Sequence, residues 1–443
     1  METRTQQAAL HLGEAVRYRT ISHFDLDKMD LPVFGEFLEF LKDTYPRVHE
    51  KLEYHLINNY SPVYHWKGKD QAALPALFLA HYDVVPALEE GWEHGGPFSG
   101  ALEDGRVWGR GSLDNKSSII GLMETVEMLL EEGFTPARDL WFAFGYDEEV
   151  NGHHGAMKIV EWFESQDMRF DFVLDEGGAV ADGQTMGIEN PVAVVGLAEK
   201  ANASFEFTFT GEEGHSSTPP DHTSVGKMAE FIYKLERNPL PVRLTETVEK
   251  MLIHLAPHMG GIQKHILKNP KLFFPLLKRV LMKNKQTAAL LHTTISFTMT
   301  EAGSAPNVLP KEATCTANMR VLQGDTTEKV LAHMKQVSGL DYTVRPLAIE
   351  EPSKTASIDS ASYHRLKILI EEEFPNTVVI PYLMAGGTDS RHYENIADDV
   401  YRFQPLRLKE EELALVHGTG EHLTVENIGR MLRFYKKLIE RIN

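Results

Sequence analysis

The spacing of apolar residues changes period several times along the chain, and each change predicts an element. The apolar run ALPALFLA, ending at His81, reads as a buried strand. From Lys116 to Glu132, the residues Ile119, Ile120, Met123, Val126, Leu129 and Leu130 fall on one helical face, and Gly133 follows as a stop. DLWFAFGYDEE then reads as a strand, HHGAMKIVEWFESQ as a helix and DFVLDEGG as a third strand. This is the rhythm of an α/β domain whose mostly parallel sheet is covered by helices on both faces. After about Gly196 the period becomes two: Phe205, Phe207 and Phe209 alternate with polar residues, as in a sheet with one wet face. A smaller α+β domain is predicted there, with a helix near Val225 to Arg237, strands at HTTISFTMTEAG and KEATCTANMRVL, a helix near Thr327 to Val337 and a last strand at DYTVRPL. That is a split βαβ, ferredoxin-like order. Between its parts runs a basic, helical stretch, roughly Thr245 to Leu291, containing FFPLLKRVLMKNK. Packed helix is the ordinary reading of such a stretch, and a membrane or partner surface the alternative. From about Ala356 the α/β rhythm returns with NTVVIPYL, DDVYRFQP and an amphipathic helix from Thr424 to Ile442. The expected organisation is a large domain at residues 1–196 and 349–443, interrupted by an inserted domain at 197–348.

Composition narrows the function classes. A chain of 443 residues exceeds one ordinary core, and 42% hydrophobic with 25% charged residues is a soluble, globular balance. A formal net charge of -19 argues against a nucleic-acid groove, which needs concentrated Lys and Arg. The only cysteine, Cys315, excludes an intrachain disulfide and points to a reducing compartment; its place in an alternating strand makes it a small core residue rather than a nucleophile. The first twenty residues hold no signal-peptide core, and no stretch reaches the ~20 apolar residues of a membrane span, so a cytoplasmic location is expected.

The chemistry-bearing motifs fall at the ends of the predicted strands, where open α/β sheets place their ligands. In HYDVVP, His81 and Asp83 point the same way, so that Asp83 could hold one ring nitrogen while the other binds a metal; a surface His–Asp pair is the plainer alternative. Asp114 in GRGSLDNKSS precedes a helix and taken alone reads as an N-cap. Glu148 and Glu149 in YDEEVNG are adjacent carboxylates at the end of a buried strand and need a cation or a shared proton. One would ligate metal and the other take a proton from water. FVLDEGG adds Asp175 and Glu176, and ALVHGTGEHL adds His417. Nitrogen and oxygen ligands without thiolate suit zinc, and a doubled site bridged by a carboxylate suits hydrolysis.

HYDVVP, GRGSLDNK, DEEVNGHHG, DEGG, GHSSTPP and GGTDSRHY together resemble the zinc peptidase family of aminoacylase, carboxypeptidase G and vacuolar carboxypeptidase S, from about Leu77 to His422. GHSSTPP and the longer inserted domain bring the chain nearest to the carboxypeptidase S branch, which includes enzymes that make and cleave N-fatty-acyl amino acids. The resemblance implies a dizinc catalytic domain with an inserted lid, cobalt or manganese being possible substitutes for the two zinc ions. It implies His81 on one metal with Asp83 orienting it, Asp114 bridging both, Glu148 as general base, and Glu149 and His417 on the second metal. The remaining ligand falls on DEGG, which offers Asp175 and Glu176, with Asp175 preferred. His215 in the lid would face the scissile carbonyl, commonly in the active site of a dimer partner, and stabilise an oxyanion. Asn307 and Arg320 match positions that hold the substrate's carboxylate, for which Arg is suited as a bidentate donor. Gly387 and Thr388 would contribute backbone and hydroxyl donors, and His392 is read as structural. The implied activity is hydrolysis of an amide bond beside a free carboxylate, in a small peptide or an N-acyl amino acid. The competing readings are a dipeptidase, a biosynthetic deacetylase, or a non-catalytic peptide-binding protein.

Overall fold

The computed structural model describes residues 1–442, which divide into two compact units. One comprises Met1–Leu197, Ala356–Pro381 and the segment from Thr388 to the carboxyl end; the other comprises Ala198–Thr355 and Tyr382–Gly387.

The first unit is built on a nine-stranded sheet whose centre is parallel. Strand Ala76–His81 lies between Leu140–Gly145 and Phe170–Asp175, and Phe170–Asp175 pairs in turn with Ala397–Arg402, every one of these pairings parallel. Strands Ala76–His81 and Leu140–Gly145 are buried along their whole length. Both faces of the sheet are covered, which is why these strands read as unbroken apolar runs instead of alternating ones. Helix Lys116–Glu131 carries the predicted stripe; Ile119, Ile120, Met123, Val126 and Leu129 are all in the core. Gly133 ends that stretch at φ 71°, a left-handed conformation natural to a residue without Cβ.

The amino-terminal elements were not foreseen. Helices Glu2–Arg17 and Leu31–Thr44 and the antiparallel strands Glu53–Ile57 and Ser61–Trp66 complete this unit, the last pairing antiparallel with Leu140–Gly145. The first helix approaches the loop at Gly100 so closely that a Cβ on Gly100 would lie 1.8 Å from the Gly13 carbonyl oxygen. Its end also receives the buried Lys116, whose Nζ donates to the carbonyls of Ala15 (3.0 Å) and Tyr18 (2.5 Å). Burial lowers the Lys116 pKa to about 7. The amino-terminal helix thus anchors the segment that follows Asp114.

The second unit has the predicted order. Strands Ala201–Thr210, Thr294–Ala302, Glu312–Val321 and Thr343–Ile349 form an antiparallel sheet in which the first and third lie at the centre, with helices Ser224–Arg237 and Thr327–Ser338. This is the ferredoxin-like arrangement. Phe205, Phe207, Phe209, Phe231, Cys315 and Met334 share its core, so Cys315 packs as a small hydrophobe. The stretch read as basic and helical becomes a series of short helices, among them Glu246–Leu255, Gly261–Lys268 and Phe274–Leu281. Among the described residues no helix is long and apolar enough to cross a membrane.

Candidate metal centre

Because three parallel strands lie side by side, their carboxyl ends share one edge of the sheet, and the acidic turns that follow them meet there. His81 closes its strand and is in register with Gly145, three residues before Glu148. Glu148 and Glu149 open a short 3-10 turn, while Asp175 ends the third strand and Glu176 follows. Asp114 stands just before helix Lys116–Glu131 but does not cap it; that helix has Asn115 at the N-cap and no side-chain cap bond. His417 lies in the loop before strand His422–Thr424, at φ 59°, a left-handed conformation that costs an L-residue roughly 1–2 kcal/mol.

Two groups of three side chains result. His81 Nε2 lies 2.9 Å from Glu176 Oε1 and 3.1 Å from Asp114 Oδ1. His417 Nε2 lies 3.1 Å from Asp114 Oδ2 and 3.0 Å from the Glu149 carboxylate. Within each group the candidate ligand atoms are all within 4.8 Å of one another, and Asp114 belongs to both.

The electrostatics of these groups match a cation pair. Burial drives the Glu148 carboxyl well above the usual range and raises Glu149. Burial, then the Asp114 charge, pushes Glu176 up to about 8. Hydrogen bonds to Asp114 and Glu149 raise His417 to about 10. For His81 burial opposes protonation, yet Glu176, Asp114 and Asp83 outweigh it and raise the imidazole well above its usual value. Protons here do the work of positive charge. Two imidazoles and three carboxylates, with no thiolate among them, form a donor set suited to zinc and its neighbours.

A second layer fixes these side chains. The fully buried Asp83 accepts from the amides of Glu148 (3.1 Å) and Glu149 (3.2 Å), and its Oδ1 is 3.3 Å from His81 Nδ1. It orients the imidazole and the Glu148–Glu149 turn together. Glu421, which sequence reasoning treated only as the context of His417, is the main residue missed. Its Oε1 accepts from the amides of Gly111 (2.9 Å), Leu113 (2.9 Å) and Asp114 (3.1 Å), and its Oε2 lies 2.5 Å from Arg110 Nη1. Arg110 also donates to the His417 carbonyl at 2.9 Å. One buried ion pair therefore ties the Asp114 loop to the His417 loop. The signal available beforehand was an acid four residues after His417.

The preference for Asp175 over Glu176 does not match the side chains. Asp175 accepts from the amides of Glu176 (2.9 Å) and Ser390 (3.0 Å), while Glu176 reaches His81. Adjacent residues leave a strand end on opposite sides, so only one of the two faces the imidazole. His392 is in neither ligand group; it meets the Asn151 carbonyl at 3.1 Å, and burial lowers it to about 4. Thr388 is buried, and its hydroxyl is 2.6 Å from that of Ser390. His215, Asn307, Arg320 and Gly387 belong to the second unit. There His215 pairs with Val308 in a short ribbon, Ser216 donates to the Asn307 carbonyl at 3.1 Å, and Arg320 lies opposite Asn202 and Thr294 in the sheet.

The sequence matches the model of peptidase family M20/M25/M40 over residues 77–441. The chain belongs to this family. It is 38% identical over 442 residues to the "Probable carboxypeptidase S-like 2" of Dictyostelium discoideum, covering 98% of this chain and 85% of the relative. It is 36% identical over 444 residues to the N-fatty-acyl-amino acid synthase/hydrolase PM20D1 of Xenopus tropicalis, covering 99% and 86%. Among solved structures, the M20 family metallo-carboxypeptidase Sso-CP2 of Sulfolobus solfataricus superposes with a TM-score of 0.72 at 18% identity, covering 98% of each chain. The M20 member is thus a metal-dependent hydrolase of the carboxypeptidase and aminoacylase type, from a family that binds a dinuclear metal centre.

In the metal-free protein His417 keeps its proton up to about 10 against 6.5 for a free imidazole, so its contribution to stability is complete below 6.5 and lost as pH rises through 10. Glu176, raised from 4.5 to about 8, acts in the same direction: its contribution is complete below 4.5 and gone above 8. The metal-free protein is expected to lose thermal stability between pH 4.5 and 10, most steeply between 6.5 and 8, where both groups contribute. Zinc titrated calorimetrically in buffers of different ionisation enthalpy should release protons at neutral pH and bind more tightly as pH rises. A melting temperature flat across that window, or binding without proton release, contradicts the assignment.

Proposed function

We propose that this M20 hydrolase cleaves the amide bond of a small peptide or an N-acyl amino acid beside a free carboxylate. The observation that carries the reading is the double ligand set sharing Asp114, with Glu148 next to it. His81, Asp114 and Glu176 would hold one ion, and Asp114, Glu149 and His417 the other, zinc being the best fit to the donors and cobalt or manganese workable substitutes. The chemistry supplied by such ions is polarisation of the scissile carbonyl and a lowered pKa for water. Glu148 takes the proton from that water and gives it to the leaving amine. Its carboxyl makes no hydrogen bond or ion pair among the described residues, which leaves it free to accept and return a proton.

The inserted domain, residues 197–348 in this reading, acts as a lid that recognises the carboxylate. Arg320 anchors it in a bidentate way, and Asn307, Gly387 and Thr388 supply further donors. A cationic surrounding supports this: burial and the Arg320 charge together lower the pKa of Lys200 to about 8. His215 stabilises the oxyanion from an exposed ribbon, which suits a residue contributed across a homodimer. The N-acyl amino acid branch of the reading draws on the PM20D1 relative, and the peptide branch on the carboxypeptidase S-like one. A dipeptidase or a biosynthetic deacetylase would use the same centre. The single cysteine, buried in the second unit, favours a reducing compartment such as the cytoplasm.

Two experiments test this. Glu148→Gln should retain both metals and lose at least a hundredfold in turnover, measured with free and amidated forms of dipeptides and of acetyl- and long-chain-acyl amino acids. Wild-type protein should cleave only the free-carboxylate forms, with the best acyl group identifying the branch. Equal cleavage of amidated substrates would remove Arg320 from its role. Mixing His215→Ala with Glu148→Gln chains should recover activity that neither has alone. A mixture as inactive as its components would exclude a site shared between subunits.

A further inference from the structure

Between Met251 and Thr300 the second unit contains no Asp or Glu, in a chain whose net charge is -19. All but one of the Lys and Arg residues of that stretch are left unneutralised. Lys271 pairs with Glu249 at 2.8 Å, but among the described residues Lys264, Lys268, Lys278, Arg279, Lys283 and Lys285 form no ion pair, and all six are exposed. A solvated charged face would need nothing more, but this face is also apolar. Leu272 is 74% exposed, Val280 57% and Leu276 46%.

The helix Phe274–Leu281 explains how both properties arise. Leu277 is buried, and Phe274 and Leu281 are half-buried, so these three define its inner face. Leu276 and Val280, four residues apart, lie together on the outer side, with Leu272 in the turn just before the helix. Arg279 and Lys283 stand three residues after Leu276 and Val280 and flank that row. A helix with one apolar row against its own unit and a second row facing outwards between cations matches a helix lying in a membrane interface. The outward residues are aliphatic and offer no ring for base stacking, which disfavours single-stranded nucleic acid.

We propose that the outer face of helix Phe274–Leu281 docks on a lipid surface bearing anionic headgroups. Leu272, Leu276 and Val280 enter the acyl boundary, and Arg279 and Lys283 meet the headgroup phosphates and carboxylates. Opposite charge draws this face towards the surface while the acidic remainder of the protein stays in water. The inference uses no residue of the metal centre and does not depend on the substrate.

The test is co-sedimentation of the full-length protein with vesicles of phosphatidylcholine alone or with about a third phosphatidylserine, at low and high salt. Binding to the phosphatidylserine vesicles, weakened by salt and much lower on phosphatidylcholine, is the expected result. Combining Arg279→Gln and Lys283→Gln should lower that binding roughly thirtyfold. Combining Leu272→Ser, Leu276→Ser and Val280→Ser should lower it at least tenfold. Both variants should keep the wild-type melting temperature, which shows that they fold. The proposal is overturned if wild-type protein ignores anionic vesicles at low salt, if it binds both vesicle types equally, or if neither variant weakens binding. Sedimentation equilibrium showing a dimer that both variants dissolve, without vesicle binding, would give the face to a second copy of the chain. An oligonucleotide bound in place of vesicles would give it to nucleic acid.

Discussion

Asp114 presents one carboxylate oxygen to His81 and the other to His417, and the rest of the centre is arranged around that division. A carboxylate can serve two cations only if it is held in place, and here the holding is done through the backbone. Glu421 accepts the Asp114 amide and two amides before it, and Arg110 neutralises Glu421 while gripping the His417 carbonyl. On the opposite side, Asp83 fixes His81 and the amides of Glu148 and Glu149. Two buried acids outside both ligand groups thus set the positions of all five candidate ligands except Glu176. Removing one partner of a buried pair such as Arg110–Glu421 typically costs about 3–5 kcal/mol, because the other charge is left uncompensated.

The same crowding explains the protonation of the centre. Several acids converge on one edge of a sheet that is otherwise apolar, and burial alone would make such a cluster unstable as carboxylates. The structure offers it two imidazoles at hydrogen-bond distance, and metal ions would take over that role from the protons. Stability and catalysis then depend on one charge balance, which links metal binding to pH.

Much of this was legible in the sequence because the parallel strands are buried on both sides. Unbroken apolar runs ended abruptly in His81, in Glu148 and Glu149, and in Asp175 and Glu176, and parallel order brings such ends together. What was not legible depended on contacts between distant segments. That Glu176, not Asp175, lies against His81 goes with the Ser390 amide, which holds Asp175 from far along the chain. Glu421 has no periodicity to mark it, and its partners precede it by about three hundred residues. The first helix is hard to read because its inward face is largely Ala, Gly and Thr, which give little apolar contrast, although it supports Lys116 beside the centre. In the basic stretch the pattern predicted helices but could not say which apolar residues would remain outside; Leu272, Leu276 and Val280 do.

The most direct test of the account is the metal content of two purified variants. If Asp114 serves both ligand groups, Asp114→Asn should lose both ions together, whereas His417→Ala should retain one, held by His81, Asp114 and Glu176. Inductively coupled plasma mass spectrometry after zinc reconstitution and desalting would read this directly, with circular dichroism confirming that each variant is folded. An Asp114→Asn protein that still binds two zinc ions, or loses only one, would contradict the shared carboxylate on which the rest of the centre is built.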